Sequence, residues 1–451
     1  VSITDYGATA GRLCTEAIQK AIDAVAGQGG GTVLFPAGTW VSGTVHVKSG
    51  VTLHLVPSAV LRGSTDIADY TVVPWQKNEG ERHHCFIVID DREDVLITGG
   101  GTIEGNGFAF WDKPAPEAAY PWYRAREPRV NPMIHVAHSR RITFDNIRIS
   151  DSPGWTVHLY CCDGVIMRGV TVDDYLYGPN TDGFDINGCR DVFVSDCRLT
   201  CGDDAIIIKA TPEGRSCERI MISNCRVESN CIGIGIGQET LSDVRQVTVS
   251  NCIATGCHRM FAIGMWEGGI VEDVTVCGLV GDTLTRDDIT LARPIQLEAK
   301  QHATRGGGHC TLRNVQISNV VARTKGRILM TAQGGMWLEN VMLRDIRLSI
   351  VGMEDPELLS PATGTEGSSQ YANRNLEARK QRAAVVVENA RGLVVDGLYI
   401  DWPRENATGK PFAGIWARGI RGGYLNIPLV NGLDDGGRRV VVADSDCRIE
   451  E

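Results

Sequence analysis

Val192-Phe193-Val194-Ser195-Asp196-Cys197, Ile220-Met221-Ile222-Ser223-Asn224-Cys225 and Val247-Thr248-Val249-Ser250-Asn251-Cys252 are three versions of one phrase. Each alternates apolar and polar residues, passes through Asp or Asn, and closes on an apolar position. Working outward, the phrase recurs upstream as Ile142–Ile147 and Val165–Val170, and downstream as Val274–Leu279, Val315–Val320, Val341–Ile346 and Leu393–Leu398. Through the middle it closes at 147, 170, 197, 225, 252 and 279, at intervals of 23, 27, 28, 27 and 27 residues. The alternation has the period of a β-strand. A repeat in the twenties with two or three short strands predicts a parallel β-helix. Leucine-rich repeats share the period, but their Leu-x-x-Leu-x-Leu pattern is missing. Stacked coils bring equal positions into columns about 4.8 Å apart per step. Cys197, Cys225 and Cys252 are therefore expected as free, buried thiols in a column with Ile147, Val170, Leu279, Val320 and Ile346; disulfides or a metal are the alternatives.

The rest of the chain is read against this repeat. Thr15–Ala24 reads as an amphipathic helix with Thr15 as N-cap, a cap over the first coil spanning about 15–26. Longer excursions fall at about 105–132 (Trp111, Tyr120, Trp122, Tyr123), 280–310 and 352–382. The fold class expected is all-β: a single-stranded, right-handed parallel β-helix, with residues 1–451 as one domain. Of the 451 residues, 52 are Gly and 43% are hydrophobic against 22% charged, which excludes disorder. No apolar run is long enough for a membrane-spanning helix. A net charge of −10 argues against nucleic-acid binding, which needs a basic stripe. The chain opens at Val1 with no apolar leader. An extracellular or periplasmic monomer is expected, its signal peptide not being part of this chain.

Two adjacent repeats carry acids where the others do not: Asn180-Thr181-Asp182-Gly183-Phe184-Asp185 and Gly202-Asp203-Asp204-Ala205. Asp182 and Asp204 lie 22 residues apart, about one coil. Carboxylates so close repel, and one of them is expected to hold its proton. A protonated acid beside an ionised base is what glycoside hydrolysis needs. Turn capping and a divalent metal site are the other uses of such a cluster. Asp185, between Phe184 and Ile186, is expected to face solvent.

These motifs resemble glycoside hydrolase family 28, the polygalacturonases. Asp5-Tyr6-Gly7-Ala8, Gly29-Gly30-Gly31-Thr32-Val33, Gly101-Thr102-Ile103-Glu104-Gly105-Asn106-Gly107 and Ser152-Pro153-Gly154-Trp155 resemble it too, so the likeness runs from about residue 3 to 400. The resemblance implies a right-handed parallel β-helix that hydrolyses pectic polysaccharides with inversion. It implies Asp203 as general acid, with Asp182 and Asp204 holding and activating water, and no cofactor or metal.

Two family motifs are absent. Where the family carries Gly-His-Gly, this chain has Cys231-Ile232-Gly233-Ile234-Gly235-Ile236-Gly237. Where it carries the uronate-binding Arg-Ile-Lys, this chain has Ala262-Ile263-Gly264, an alignment anchored by Trp266, Gly268 and Gly269. The reading is a pectic or related plant polysaccharide other than plain polygalacturonate: a neutral sugar beside the cleaved bond, or a uronate held differently. Substitute substrate ligands are sought in Asn180, Lys209, Glu239, His258, Arg259, Trp266 and Trp122. For five of them a structural role stands beside the binding role: a solvated turn residue for Glu239, an outward strand residue for Lys209, a loop anchor for Trp266, packing on the solenoid for Trp122, and a structural histidine for His258. A lyase or epimerase on the same solenoid and a noncatalytic glycan-binding β-helix are the alternative functions.

Overall fold

The computed structural model describes residues 1–74, 82–118, 121–284, 292–301, 307–351, 381–402, 412–432 and 438–450. By compactness the chain divides into a first unit, Val1–Ile207 with Arg215–Asn230, and a second, Ile208–Gly214 with Cys231–Glu451.

The first unit begins with the helix Thr15–Gly27, which buries Ala17, Ile18, Ala21, Ile22 and Val25 along one face. Its N-cap position is Cys14, whose side chain makes no capping bond. This corrects the expectation for Thr15, whose hydroxyl instead accepts the Gly43 N–H at 2.8 Å, tying helix to first coil. The coils then stack in parallel. One sheet runs through Ile87–Asp90, Ile134–Ala137, Val157–Tyr160 and Phe184–Asn187, aligning Ile87, Ile134, Val157 and Phe184. A second sheet aligns Val95, Ile142, Val165, Val192 and Ile220. A third runs through Thr102–Glu104, Arg148–Ser150, Thr171–Asp173, Arg198–Cys201 and Arg226–Ser229. Three parallel strands per turn make each coil of a right-handed parallel β-helix.

The repeated phrase has a backbone reason. Its fifth residue turns the chain from the second sheet to the third in the left-handed region: Asn146 at φ 50°, Asp196 at 58°, Asn224 at 56°. Asn, Asp and Gly are the residues that tolerate this conformation. The closing residue then points inward, and Cys197 and Cys225 are 1% and 2% exposed.

The second unit repeats the plan with longer strands. Cys252 aligns with Leu279, then Val320, Ile346 and Leu398. Its first sheet aligns Arg259–Met265 with Ile232–Gly237 on one side and Arg293–Ala299 on the other. The cysteines are free thiols, most of them buried.

The excursions fare unequally. Within 105–132 a short helical turn, Gly107–Phe110, leads to an antiparallel pair, Trp111–Asp112 with Arg124–Ala125; Tyr120 lies outside the described residues. The stretch 280–310 is no simple excursion, because Arg293–Ala299 is a fully buried strand of the stack. Its outward Gln296 and Glu298 hide the apolar alternation of Ile295, Leu297 and Ala299. The stretch 352–380 lies outside the described residues. Among those described, no helix is long and apolar enough to cross a membrane.

Candidate active site

In the first unit the acidic motifs sit at the upstream ends of first-sheet strands. The backbone carries them one coil apart: Gly183 N–H donates to Asp204 C=O at 2.8 Å and Phe184 N–H to Ala205 C=O at 2.9 Å. Asp182 is 3% exposed, with its carbonyl accepting the Thr156 N–H at 2.8 Å. Asp203 and Asp204 are half-buried. Asp203 Oδ1 accepts the Asp204 N–H at 3.1 Å, and Asn180 Nδ2 lies 3.5 Å from Asp203 Oδ2. Ser229 Oγ donates to the Asp203 carbonyl at 2.6 Å, fixing the turn that presents the carboxylate.

The loop before Asp182 is held just as closely. Thr181 Oγ1 accepts the Gly202 N–H at 2.9 Å, and Asn230 Nδ2 donates to the Leu176 carbonyl at 2.5 Å. Arg129, 6% exposed, donates to the carbonyls of Pro153 at 3.0 Å and Pro179 at 2.8 Å and to Asn180 Oδ1 at 3.1 Å. At the base of the loop, Asp174 accepts from Ser152 N–H at 2.8 Å and Thr156 Oγ1 at 2.6 Å. Burial pushes its carboxyl up to about 7 against those bonds. Trp122 packs edge-on to Tyr177 at 5.4 Å, and Tyr175, Tyr123 and Phe108 continue the aromatic cluster. Trp122 thus stands against the loop that carries Asn180.

Asp185 is not a solvent-facing residue. It is fully buried, in register with His158, which is itself in register with His135. The two imidazoles stack at 5.2 Å, and burial lowers His135 to about 4, so it is neutral at ordinary pH. Alternation does not tell whether the polar face of a strand is buried, and here it is.

In the second unit, Lys209 pairs with Glu239 at 3.4 Å, and both are largely buried. Glu239 is therefore not the solvated turn residue of the alternative reading. Its N–H donates at 2.8 Å to Glu267 Oε2. Gly237 stands at φ +81°, and a Cβ there would meet the Gly264 carbonyl at 2.0 Å, so the backbone itself requires this glycine. At Gly264 a Cβ meets nothing nearer than Trp266 Nε1 at 3.8 Å. In the neighbouring strand Gln296 is in register with Ala262, and Glu298 with Gly264. Arg259 Nε donates to Gln296 Oε1 at 2.8 Å. Glu298 accepts from Trp266 Nε1 at 3.0 Å and pairs with Lys300 at 3.1 Å; the ammonium of Lys300 lies 4.1 Å over the Trp266 ring. His258 is buried, its carbonyl accepting the Arg293 N–H at 2.7 Å.

From sequence, no role was assigned to Arg129, Asp174, Gln296, Glu298 or Lys300. The last three were detectable, since Ile295, Leu297 and Ala299 alternate as a strand. Arg129 and Asp174 gave no local signal, because the partners that hold them against the acidic loop lie 18 to 51 residues away in the chain.

The comparisons agree with this geometry. The family model "Glycosyl hydrolases family 28" matches residues 33–355, which include both acidic motifs. A "Probable polygalacturonase" of Vitis vinifera is 26% identical over 63% of this chain, and the match spans 61% of that relative's length. An "Endo-polygalacturonase" of Pectobacterium carotovorum subsp. carotovorum is 25% identical, over 74% of this chain and 84% of its own. The crystal structure of an exopolygalacturonase from Thermotoga maritima superposes with a TM-score of 0.67 at 22% identity, covering 78% of this chain and 87% of that one. With the β-helical coils and the paired Asn-Thr-Asp and Gly-Asp-Asp motifs, the match across 33–355 places this chain in glycoside hydrolase family 28.

Proposed function

We propose that the protein is an inverting glycoside hydrolase acting on a pectic or related plant polysaccharide whose sugar beside the cleaved bond is not a conventionally clamped galacturonate. Asp203 serves as general acid to the leaving oxygen. Asp182 and Asp204 hold and activate the water. The roles come from the family motif, and the N–H donors on both oxygens of Asp203 support them. Such donors favour the carboxylate that remains once the proton has left.

The observation that carries the substrate assignment is Gly264. There is room for a side chain at this position, and the residue in register with it, Glu298, is an acid. Glu298 is buried and paired with Lys300, so the two charges offset one another beside the position where the family carries its lysine. Lys300, the nearby cation, is already paired with Glu298 and seated on Trp266. Arg259 supports a second reading, a uronate held by cations other than the family pair. Trp122 and Tyr177 offer aromatic faces for sugar rings, and Asn180, Lys209, Glu239 and His258 complete the proposed substrate ligands. The protein is proposed to work outside the cytoplasm and as a monomer.

The test is a panel of defined neutral and uronate oligosaccharides offered to wild type and Asp203→Asn. We expect hydrolysis products from a neutral or mixed pectic oligosaccharide that fall about 10²- to 10⁴-fold in the variant, with the freshly released anomer inverted by proton NMR. Products bearing an unsaturated-uronate chromophore would overturn the reading in favour of a lyase. Preferred cleavage of plain oligogalacturonate would overturn the substrate assignment alone.

A further inference from the structure

Phe108 is the centre of the aromatic cluster carried by the 105–132 excursion. It stands on the short helical turn Gly107–Phe110 and is 48% exposed, although its ring meets Trp111 at 5.1 Å, Tyr175 at 5.3 Å and Tyr123 at 5.4 Å. Tyr123 and Tyr175 pack edge to face at 5.6 Å, and Tyr175 meets Tyr177 at 5.9 Å. The patch is tied into the fold. Trp111 is buried and donates its indole N–H to the Pro153 carbonyl at 2.9 Å, and the Tyr123 N–H donates to the Tyr177 carbonyl at 3.0 Å. From Tyr175 the backbone leads directly to the acids. Its carbonyl accepts the Gly178 N–H at 2.8 Å and the Thr181 hydroxyl at 3.4 Å, and a Cβ on Gly202 would meet it at 2.9 Å. Thr181 precedes Asp182, and Gly202 precedes Asp203. The aromatic patch and the proposed acids are therefore held by the same turn.

A single exposed phenylalanine needs no explanation, but one at the centre of an aromatic patch beside a reactive turn marks a binding surface. The face of an aromatic ring is negative and attracts the C–H-bearing face of a pyranose, while hydroxyls at its rim meet those of the sugar. Partial burial, with the nearby Tyr123 and Tyr177 hydroxyls, holds the Tyr175 phenol above its ordinary value, so it stays a donor. Arg126 of the same excursion is engaged with the Ala109 carbonyl and Asp112, and Arg129 with the acidic loop. The patch thus offers ring faces and hydroxyls before it offers charge. We propose that Phe108, with Tyr123 and Tyr175 around it, is a distal sugar subsite that stacks on a neutral pyranose unit of the substrate chain, beyond the units at the cleaved bond. The subsite rests on the proposed hydrolase reading for the identity of its ligand.

Titration calorimetry in the Asp203→Asn background, where the ligand is not consumed, tests this with oligosaccharides from disaccharide to octasaccharide. The probes are neutral galactan oligosaccharides, alternating rhamnose–galacturonate oligosaccharides and plain oligogalacturonates. Affinity for a neutral or alternating series is expected to rise with chain length. Adding Phe108→Ala is expected to weaken the long members by about 5- to 10-fold, with a loss that grows with length. Phe108→Trp keeps a ring face and is expected to keep the gain. Phe108→Leu keeps apolar bulk against Trp111, Tyr123 and Tyr175 without a ring face, and is expected to behave as Phe108→Ala. Binding by Phe108→Leu equal to that of its parent would make Phe108 a packing residue and overturn the proposal. So would an equal loss at every length with a lowered thermal midpoint, the absence of any chain-length gain, or a Phe108-dependent gain confined to oligogalacturonates. Hydrolysis is followed separately in proteins that retain Asp203. If the long ligands bind through Phe108 and none is cleaved, the hydrolase reading fails and the subsite stands; cleavage with no dependence on Phe108 removes the subsite alone.

Discussion

Three carboxylates in adjacent coils can divide acid and base work only if their surroundings differ. Asp182 is buried beside Arg129, whereas Asp203 is half-open and takes N–H donors on both oxygens. Asp174 shows how strongly position governs such a group. Buried below the loop, it is raised from 3.8 to about 7. The folded protein therefore keeps a proton there that the unfolded chain has released. That contribution to stability is complete below about pH 4 and is lost as pH rises through about 7. His135 slopes the other way: lowered to about 4, it costs stability as pH falls below its ordinary value. We expect the thermal midpoint of Asp174→Asn to fall less than that of wild type between pH 5 and 8. Parallel midpoints for the two proteins across that range would contradict the assignment.

At the scale of elements, the site depends on how closely two turns approach. A Cβ on Gly183 would meet the Ala205 carbonyl at 2.3 Å and Leu199 Cδ2 at 2.7 Å. The carbonyl cannot yield without opening the ladder that sets Asp182 against Asp204. Gly183→Ala is expected to destabilise the protein by about 1–3 kcal/mol, measured by denaturant unfolding. It should also lower kcat on the cleaved oligosaccharide, since the carboxylates proposed to react separate. A variant with wild-type stability and kcat would show that the turns have slack. The repeated phrase was legible because every part of it has a local cause: alternation for the strand, a left-handed Asn, Asp or Gly at the bend, an apolar residue to close. Arg293–Ala299 was harder to read because Gln296 and Glu298, though polar and outward, are buried with the rest of the strand. Polarity in sequence marks a face of a strand and does not tell whether that face is wet.

For the whole molecule, charge is the property that bears on substrate. A chain of net charge −10 repels a polyuronate at long range unless local cations compensate. At the position in register with Gly264 this chain places Glu298, paired with Lys300. For the neutral ligand proposed above, KM is expected to change by less than about twofold between low and physiological salt, because such a ligand has no charge to screen. A KM that falls steeply as salt is added would point to a polyanionic substrate approaching against the protein's own field.

The sequence alone determined the β-helix, since a period of 27 or 28 residues built from alternating strands and left-handed bends has few other solutions. It also determined the candidate acids, because Asn180-Thr181-Asp182 and Gly202-Asp203-Asp204 are contiguous motifs. Only the tertiary structure decided what surrounds them. Arg129 reaches Asn180 across 51 residues, Glu298 reaches Trp266 across 32, and Asp185 is buried despite its polar face. Strand period and turn chemistry are properties of neighbours in the chain. Burial, ion pairing and the orientation of an amide belong to neighbours in space.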